Sequence, residues 1–184
     1  MNPVAIYDIT RAALYAVRDA LNDVLPAEFR HQRVTVVNGP PAIDGWPDDG
    51  CVEHLVAWAE TITATTAFPV PDGAAILCAP PSGALQVVVQ SIRCEPTIED
   101  NAFPHPADLD LAARLLSVEA AVAWKALTEF ALSNPFGADC LLAGGQAVPP
   151  QGAVAGWETR LVVEAEFCGD PLADLALPDG FLTD

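Results

Sequence analysis

Positive charge is what this sequence has least of. Lysine and arginine together number 8, against 25 aspartates and glutamates, for a net charge of −17 and a pI near 4.1. Sequence-independent nucleic-acid binding depends on cations that neutralise phosphates, so that class of function is excluded. Anionic membrane surfaces are disfavoured for the same reason. Long apolar runs are missing as well, and no stretch approaches the ~20 residues of a membrane span. The opening residues, MNPVAIYDIT, have neither a basic start nor a continuous apolar run, so no signal peptide is expected. The 5 cysteines, Cys51, Cys78, Cys94, Cys140 and Cys168, are an odd set at irregular spacing. A disulfide framework is not expected from them. Reduced, mostly buried thiols in a cytosolic protein are.

Catalytic and metal signatures are equally sparse. Cys51 and His54 have the spacing of half a zinc site, but no second ligand pair completes it. The aspartates between Asp44 and Asp49 suggest a calcium loop and fail its spacing, with Trp46 at a ligand position and Leu55 where a bidentate glutamate is required. Ser82 lies in a Pro-Pro-Ser-Gly turn rather than a nucleophile elbow. Of the three histidines, His31, His54 and His105, the last sits between prolines in a loop. There is no phosphate-binding glycine loop. The expectation is no metal, no cofactor and no catalytic residue.

What is present is a chain of 184 residues, 52% hydrophobic, sized for one domain with a real core. Ile6, Ile9, Ala13, Leu14, Val17, Leu21 and Val24 recur at three- and four-residue steps and predict an amphipathic helix. Asp8 or Thr10 is its expected cap, and Pro26 closes it. Arg33 to Val37 reads as a short strand ending at Asn38-Gly39-Pro40-Pro41. Cys51 to Phe68 reads as a long threonine-rich strand, with a helical first half as the alternative. Ala84 to Cys94 is a further strand. Asp108 is the expected cap of a second helix, roughly Leu109 to Leu132. Its apolar residues run almost all the way round, so burial on more than one side is expected, one of them against a neighbouring subunit.

The end of the chain reads as a hairpin. Asp139 to Ala143 forms one strand, Gly144 to Gly156 a long loop, and Trp157 to Phe167 the other strand. Trp157, Thr159, Leu161, Val163, Ala165 and Phe167 share one face. Glu158, Arg160, Val162, Glu164 and Glu166 share the other, and a solvated acidic face is expected of them. The expected fold is α+β, a mixed or antiparallel sheet of about four to five strands packed against two helices. Residues 1–168 form the domain. Residues 169–184 carry Leu172, Leu175 and Phe181 among prolines and aspartates and read as an extended arm.

This element order resembles the tail terminator proteins of long-tailed phages, particularly actinobacterial ones. The residues that carry the resemblance run from Val36-Val37-Asn38-Gly39-Pro40-Pro41-Ala42-Ile43-Asp44 to Cys51-Val52-Glu53-His54-Leu55-Val56. They continue through Val87-Val88-Val89-Gln90-Ser91-Ile92-Arg93-Cys94-Glu95-Pro96 and Pro149-Pro150-Gln151-Gly152-Ala153-Val154-Ala155-Gly156-Trp157-Glu158. The resemblance implies a ring, a hexamer in the family, that caps the tail tube, ends its polymerisation and joins tail to head. It implies as partners further copies of the chain, the tail tube protein and a connector or stopper protein. Genomic DNA would pass through an acidic channel without specific binding, and no membrane is involved. The location implied is the virion neck or tail, assembled in the host cytoplasm. Glu158, Glu164 and Glu166 are then channel-lining candidates, and Leu116, Trp124, Leu172, Leu175 and Phe181 inter-subunit candidates. Val162 interrupts the acidic face, and the tail is longer than a compact terminator needs. The alternatives are another neck or tail component, such as a stopper or tube-like subunit, and a small acidic enzyme or ligand-binding domain.

Overall fold

The computed structural model describes residues 6–41, 53–65, 67–71, 82–96, 103–151 and 154–166. Helix α1 (Ile6–Val24) is followed by one 3-10 turn, Ala27–Phe29, and strand β1 (Arg33–Val36). Strands β2 (His54–Ala64) and β3 (Ser82–Cys94) come next, then helix α2 (Pro106–Ser133) and the hairpin β4 (Cys140–Gln151) and β5 (Val154–Glu166). One mixed sheet has the order β1-β2-β3-β5-β4, with β1 parallel to β2 and every other pair antiparallel. This is the α+β architecture the element pattern predicts.

Both helices lie on one face of the sheet. Ile9, Ala13, Leu14, Val17 and Leu21 of α1 are buried, as the helical spacing requires. They pack with Leu55 and Ala57 of β2, Leu85, Val87 and Val89 of β3, Ala123, Ala126 and Leu127 of α2, and Leu161, Val163 and Ala165 of β5. Each fully buried aliphatic side chain contributes about 1.5–3 kcal/mol of transfer free energy. The apolar face of β5 is therefore the one the alternation assigned. Phe167 lies outside the described residues.

Local chemistry moves several boundaries. Asp8 and Thr10 do not cap α1. The helix already runs at Ile6, and the Thr10 hydroxyl donates to the Ile6 carbonyl at 2.8 Å. The other end of α1 is held by Arg30, whose guanidinium donates to the carbonyls of Asn22 (2.7 Å) and Leu25 (3.3 Å), a cation on the negative end of a helix. Helix α2 is capped by His105 rather than Asp108. The His105 Nδ1 accepts from the Ala107 amide at 3.2 Å, and Pro106 takes the first-turn position where its missing N–H costs nothing. Asn134, in the left-handed region, closes α2.

The largest correction concerns the hairpin. What reads as a loop from Gly144 onwards is mostly strand, since β4 runs to Gln151 and β5 begins at Val154. Gly144, Gly145, Pro149 and Pro150 look like loop residues. An edge strand tolerates them, because its outer side needs no ladder amide. Register shifts between Leu142 and Gly144, and between Val148 and Gln151, absorb the irregularity. Gly144 has φ +133°, a conformation that favours glycine.

Cys94 is disulfide-bonded, which corrects the expectation of reduced thiols throughout. An odd total excludes complete pairing, not a single pair. Cys140 is a free thiol on β4, and burial pushes it up to about 11, with Asp139 adding to the shift.

Candidate functional site

The face of the sheet turned away from the helices is not simply solvated. Val56 and Trp58 of β2 and Val88 and Ile92 of β3 form a second buried cluster there, with Val37 and Val154 packed against it. Glu158 of β5 belongs to the same face and is only 7% exposed. The expectation that Glu158 is solvent-facing is therefore corrected. Alternation fixes which residues share a face, but it does not say whether that face is covered.

The carboxylate of Glu158 is compensated where it lies. Its Oε1 accepts from Arg160 Nη2 at 2.7 Å and from Gln146 Nε2 of β4 at 2.6 Å. Arg160 Nε reaches across to Glu60 Oε2 at 3.3 Å, and Gln86 Nε2 of β3 donates to the same oxygen at 2.5 Å. A β2 register shift between Ala59 and Thr61 puts Glu60 where it can meet both donors. One guanidinium thus ties two acids together across β2, β3, β5 and β4. Glu164 is half-buried on this face, and the side chain of Glu166 lies outside the described residues. In place of the solvated position expected of Glu158, the sheet carries a charge-compensated ladder with Glu164 at its margin. Exchanging Glu158 for lysine should set an ammonium beside Arg160 and lower the melting temperature. Glu164→Lys should leave it within a degree or two, since surface substitutions usually stay within ~0.5 kcal/mol. Parallel thermal melts check the contrast.

A second constellation lies on the helix side, at the other end of β3. Arg93 of β3 donates from Nε to Glu119 Oε1 of α2 at 2.5 Å, and its Nη2 pairs with the same oxygen and with the Phe29 carbonyl. Its Nη1 meets Glu53 Oε2 at 2.6 Å. Ser91 Oγ donates to Glu119 Oε2. That leaves the Ser91 oxygen to accept from His31 Nε2 at 3.1 Å, and the same nitrogen lies 3.6 Å from Glu119 Oε1. Glu119 is fully buried, and the side chains of Arg93 and His31 are 3% exposed. Burial raises the Glu119 carboxyl above its ordinary range, opposed by the Arg93 and Ser91 hydrogen bonds. Burial also pushes the His31 imidazole down to about 3, reinforced by Arg93 and His54.

Serine, histidine and glutamate are the residue types of a hydrolytic triad, but the connectivity is different. In a triad the histidine stands between serine and acid and takes the serine's proton. Here the serine stands in the middle and gives its proton to the acid, and solvent reaches none of the three well. The arrangement anchors α2 and the Phe29–His31 segment to β3. It was not singled out from the sequence. The available signals were a lone Glu119 on the inward stripe of α2 and a lone Arg93 in an apolar strand.

Helix α2 buries one stripe, Glu119, Ala123, Ala126 and Leu127. Within the single chain the helix is therefore buried on one side, and the second burial expected against a neighbouring subunit is not tested by it. The outward side keeps Leu111, Val118, Trp124 (45% exposed) and Leu132 (81% exposed) in solvent. Leu116 is half-buried. Leu172, Leu175 and Phe181, like the Asp44–Asp49 loop and Cys51, lie outside the described residues.

Among the described residues no group of histidine, cysteine, aspartate or glutamate side chains is arranged to hold a metal ion. No described helix is long and apolar enough to cross a membrane. No protein-family model matches the chain, and a search of curated proteins finds no match.

Proposed function

We propose that the chain is a structural subunit of a phage head-tail junction, of the tail terminator kind, which assembles with copies of itself into a ring. The observation that carries the assembly part is the outward side of α2. Leu111, Val118, Trp124 and Leu132 stand in solvent on that side, in a protein with a net charge of −17. Such a strongly like-charged chain resists non-specific association, so contacts between copies need an apolar surface. The virion part rests on the resemblance. Its element order, two helices bracketing three strands and followed by a hairpin, fits the sheet described above.

The acidic channel takes a narrower form in this proposal. Glu158 is bound to Arg160 and Gln146 and stabilises the sheet instead of lining a lumen. Glu164 stays as a lining candidate, and like charge between wall and phosphate would let DNA slide without sticking. A ring of this subunit has a mass several times that of the 19.3 kDa chain. Light scattering on the unmodified protein, with purified tail tube protein added as template, should detect it. Trp124→Glu with Leu132→Glu should abolish the large species and leave the circular dichroism spectrum and melting temperature nearly unchanged, because both residues are exposed. A monomer with and without template, or assembly that survives the double substitution, contradicts the proposal.

A further inference from the structure

The segment Ala27–Val36 is weakly built. Its 3-10 turn contains no buried residue, and β1 is a four-residue edge strand that alternates between exposed and half-buried positions. Its apolar side chains Phe29, Val34 and Val36 are only partly buried against the core, and partial burial with an edge position marks a segment that opens before the rest of a fold. Polar ties hold much of it: Arg93 to the Phe29 carbonyl, His31 to Ser91, and Arg30 to the end of α1. Between β1 and the chain beside it, the Arg33 amide donates to the Glu53 carbonyl at 3.3 Å, and the Val37 amide to the Ala57 carbonyl at 2.9 Å.

We propose that this segment is an acid-released strap, latched to β3 and α2 by the buried side chain of His31, and that proton uptake by the imidazole frees it. The groups facing His31 are Ser91 and Arg93 from β3 and Glu119 from α2, with His54 at the start of β2 close enough to act on its charge. Glu53 holds the far side of Arg93. The closed position cannot readily accept a proton. A cation on the ring would sit beside the Arg93 guanidinium, in a pocket where water cannot help to solvate it. In the open position the ring regains its ordinary affinity.

The sign follows from that difference. With a closed pKa near 3 and an open one near ~6.5, opening is independent of this group above ~6.5 and is favoured about tenfold for each pH unit below it. The effect is complete once pH falls through the closed value. His54, pushed down to about 4 by burial and Arg33, acts in the same direction. Glu119, whose carboxyl is raised, acts in the opposite direction where it is protonated. Comparing His31→Gln with the unmodified chain is therefore the decisive reading, more than the absolute slope.

Native-state hydrogen exchange between pH 7.5 and 4.5, corrected for the intrinsic rate, tests the strap. The amides of Arg33 and Val37 should lose protection as pH falls, while those of Val87 and Leu161 keep theirs. His31→Gln should remove about one decade of that loss per pH unit. An unchanged slope in His31→Gln overturns the proposal, and so does loss of protection at Val87 and Leu161 in parallel with the strap. Should His31→Gln fail to fold, the ring signals of the unmodified protein still decide. An imidazole that titrates near its ordinary value in the folded chain rules the latch out, and one that stays neutral to below pH 4.5 supports it.

Discussion

Arg93→Ala is expected to cost ~3–5 kcal/mol, because it leaves carboxylates at Glu119 and Glu53 without their cation. At ~2–4 °C per kcal/mol for a chain of this size, the melting temperature should fall by on the order of 10 °C. The loss comes from stranding a buried charge and does not measure a large net gain from the pair. Taking two ions out of water costs nearly as much as their attraction returns. The double variant Arg93→Met, Glu119→Leu should therefore recover most of the loss. Glu53 keeps some solvent contact and can be hydrated in that background. A double variant as unstable as Arg93→Ala would show that the ties to Phe29 and Ser91, rather than the charge pair, hold this corner together.

Gly156→Ala is the second substitution expected to act strongly. A β-carbon there would stand 2.2 Å from the Ser91 carbonyl oxygen, a backbone atom that cannot swing away. Strands β3 and β5 would have to separate where Gly156 pairs with Ile92. Overpacking of this kind costs ~3 kcal/mol or more. Gly144→Ala provides the control. It meets nothing within 4 Å but sits at φ +133°, so only backbone strain of ~1–2 kcal/mol is expected. Chemical denaturation should rank the two in that order. A Gly156→Ala protein as stable as the Gly144→Ala one would mean the strands are further apart at Ser91 than described.

The contrast between these sites and the rest of the chain explains what the sequence made legible. The stripe Ile9, Ala13, Leu14, Val17, Leu21 and the alternation Thr159, Leu161, Val163, Ala165 are local patterns with the periods of a helix and a strand. They predicted both the elements and the inward faces. The continuation of β4 beyond Ala143 was hidden because glycine and proline have the same letters in a loop and on an edge. The His105 cap was hidden because histidine is an uncommon cap, and Asp108 three residues later is a common one. The Arg93 cluster was illegible for a different reason. Glu119 lies 26 residues from Arg93, and His31 lies 60 residues from Ser91. No periodicity along one element encodes a partner across the sheet. Glu158 failed for the same reason. Its neighbour Arg160 is visible two positions away, but Gln146 and Glu60 reach that ladder only through strand pairing.

Arg160 has a consequence for the molecule as a whole. Only 8 side chains here carry positive charge. Arg93 is enclosed by two acids and a carbonyl, and Arg160 lies between two acids on the far side of the sheet. Arg18, Arg114 and Lys125 each stand beside an acid on their own helix. With 25 acids against those 8 cations, the field that reaches solvent is predominantly negative. Dissolved cations must supply what the chain does not. Their atmosphere relaxes repulsion among exposed acids, while pairs inside the fold are screened far less. Ionic strength becomes a lever on how closely copies of this protein can approach one another, with little effect on how each copy holds itself together.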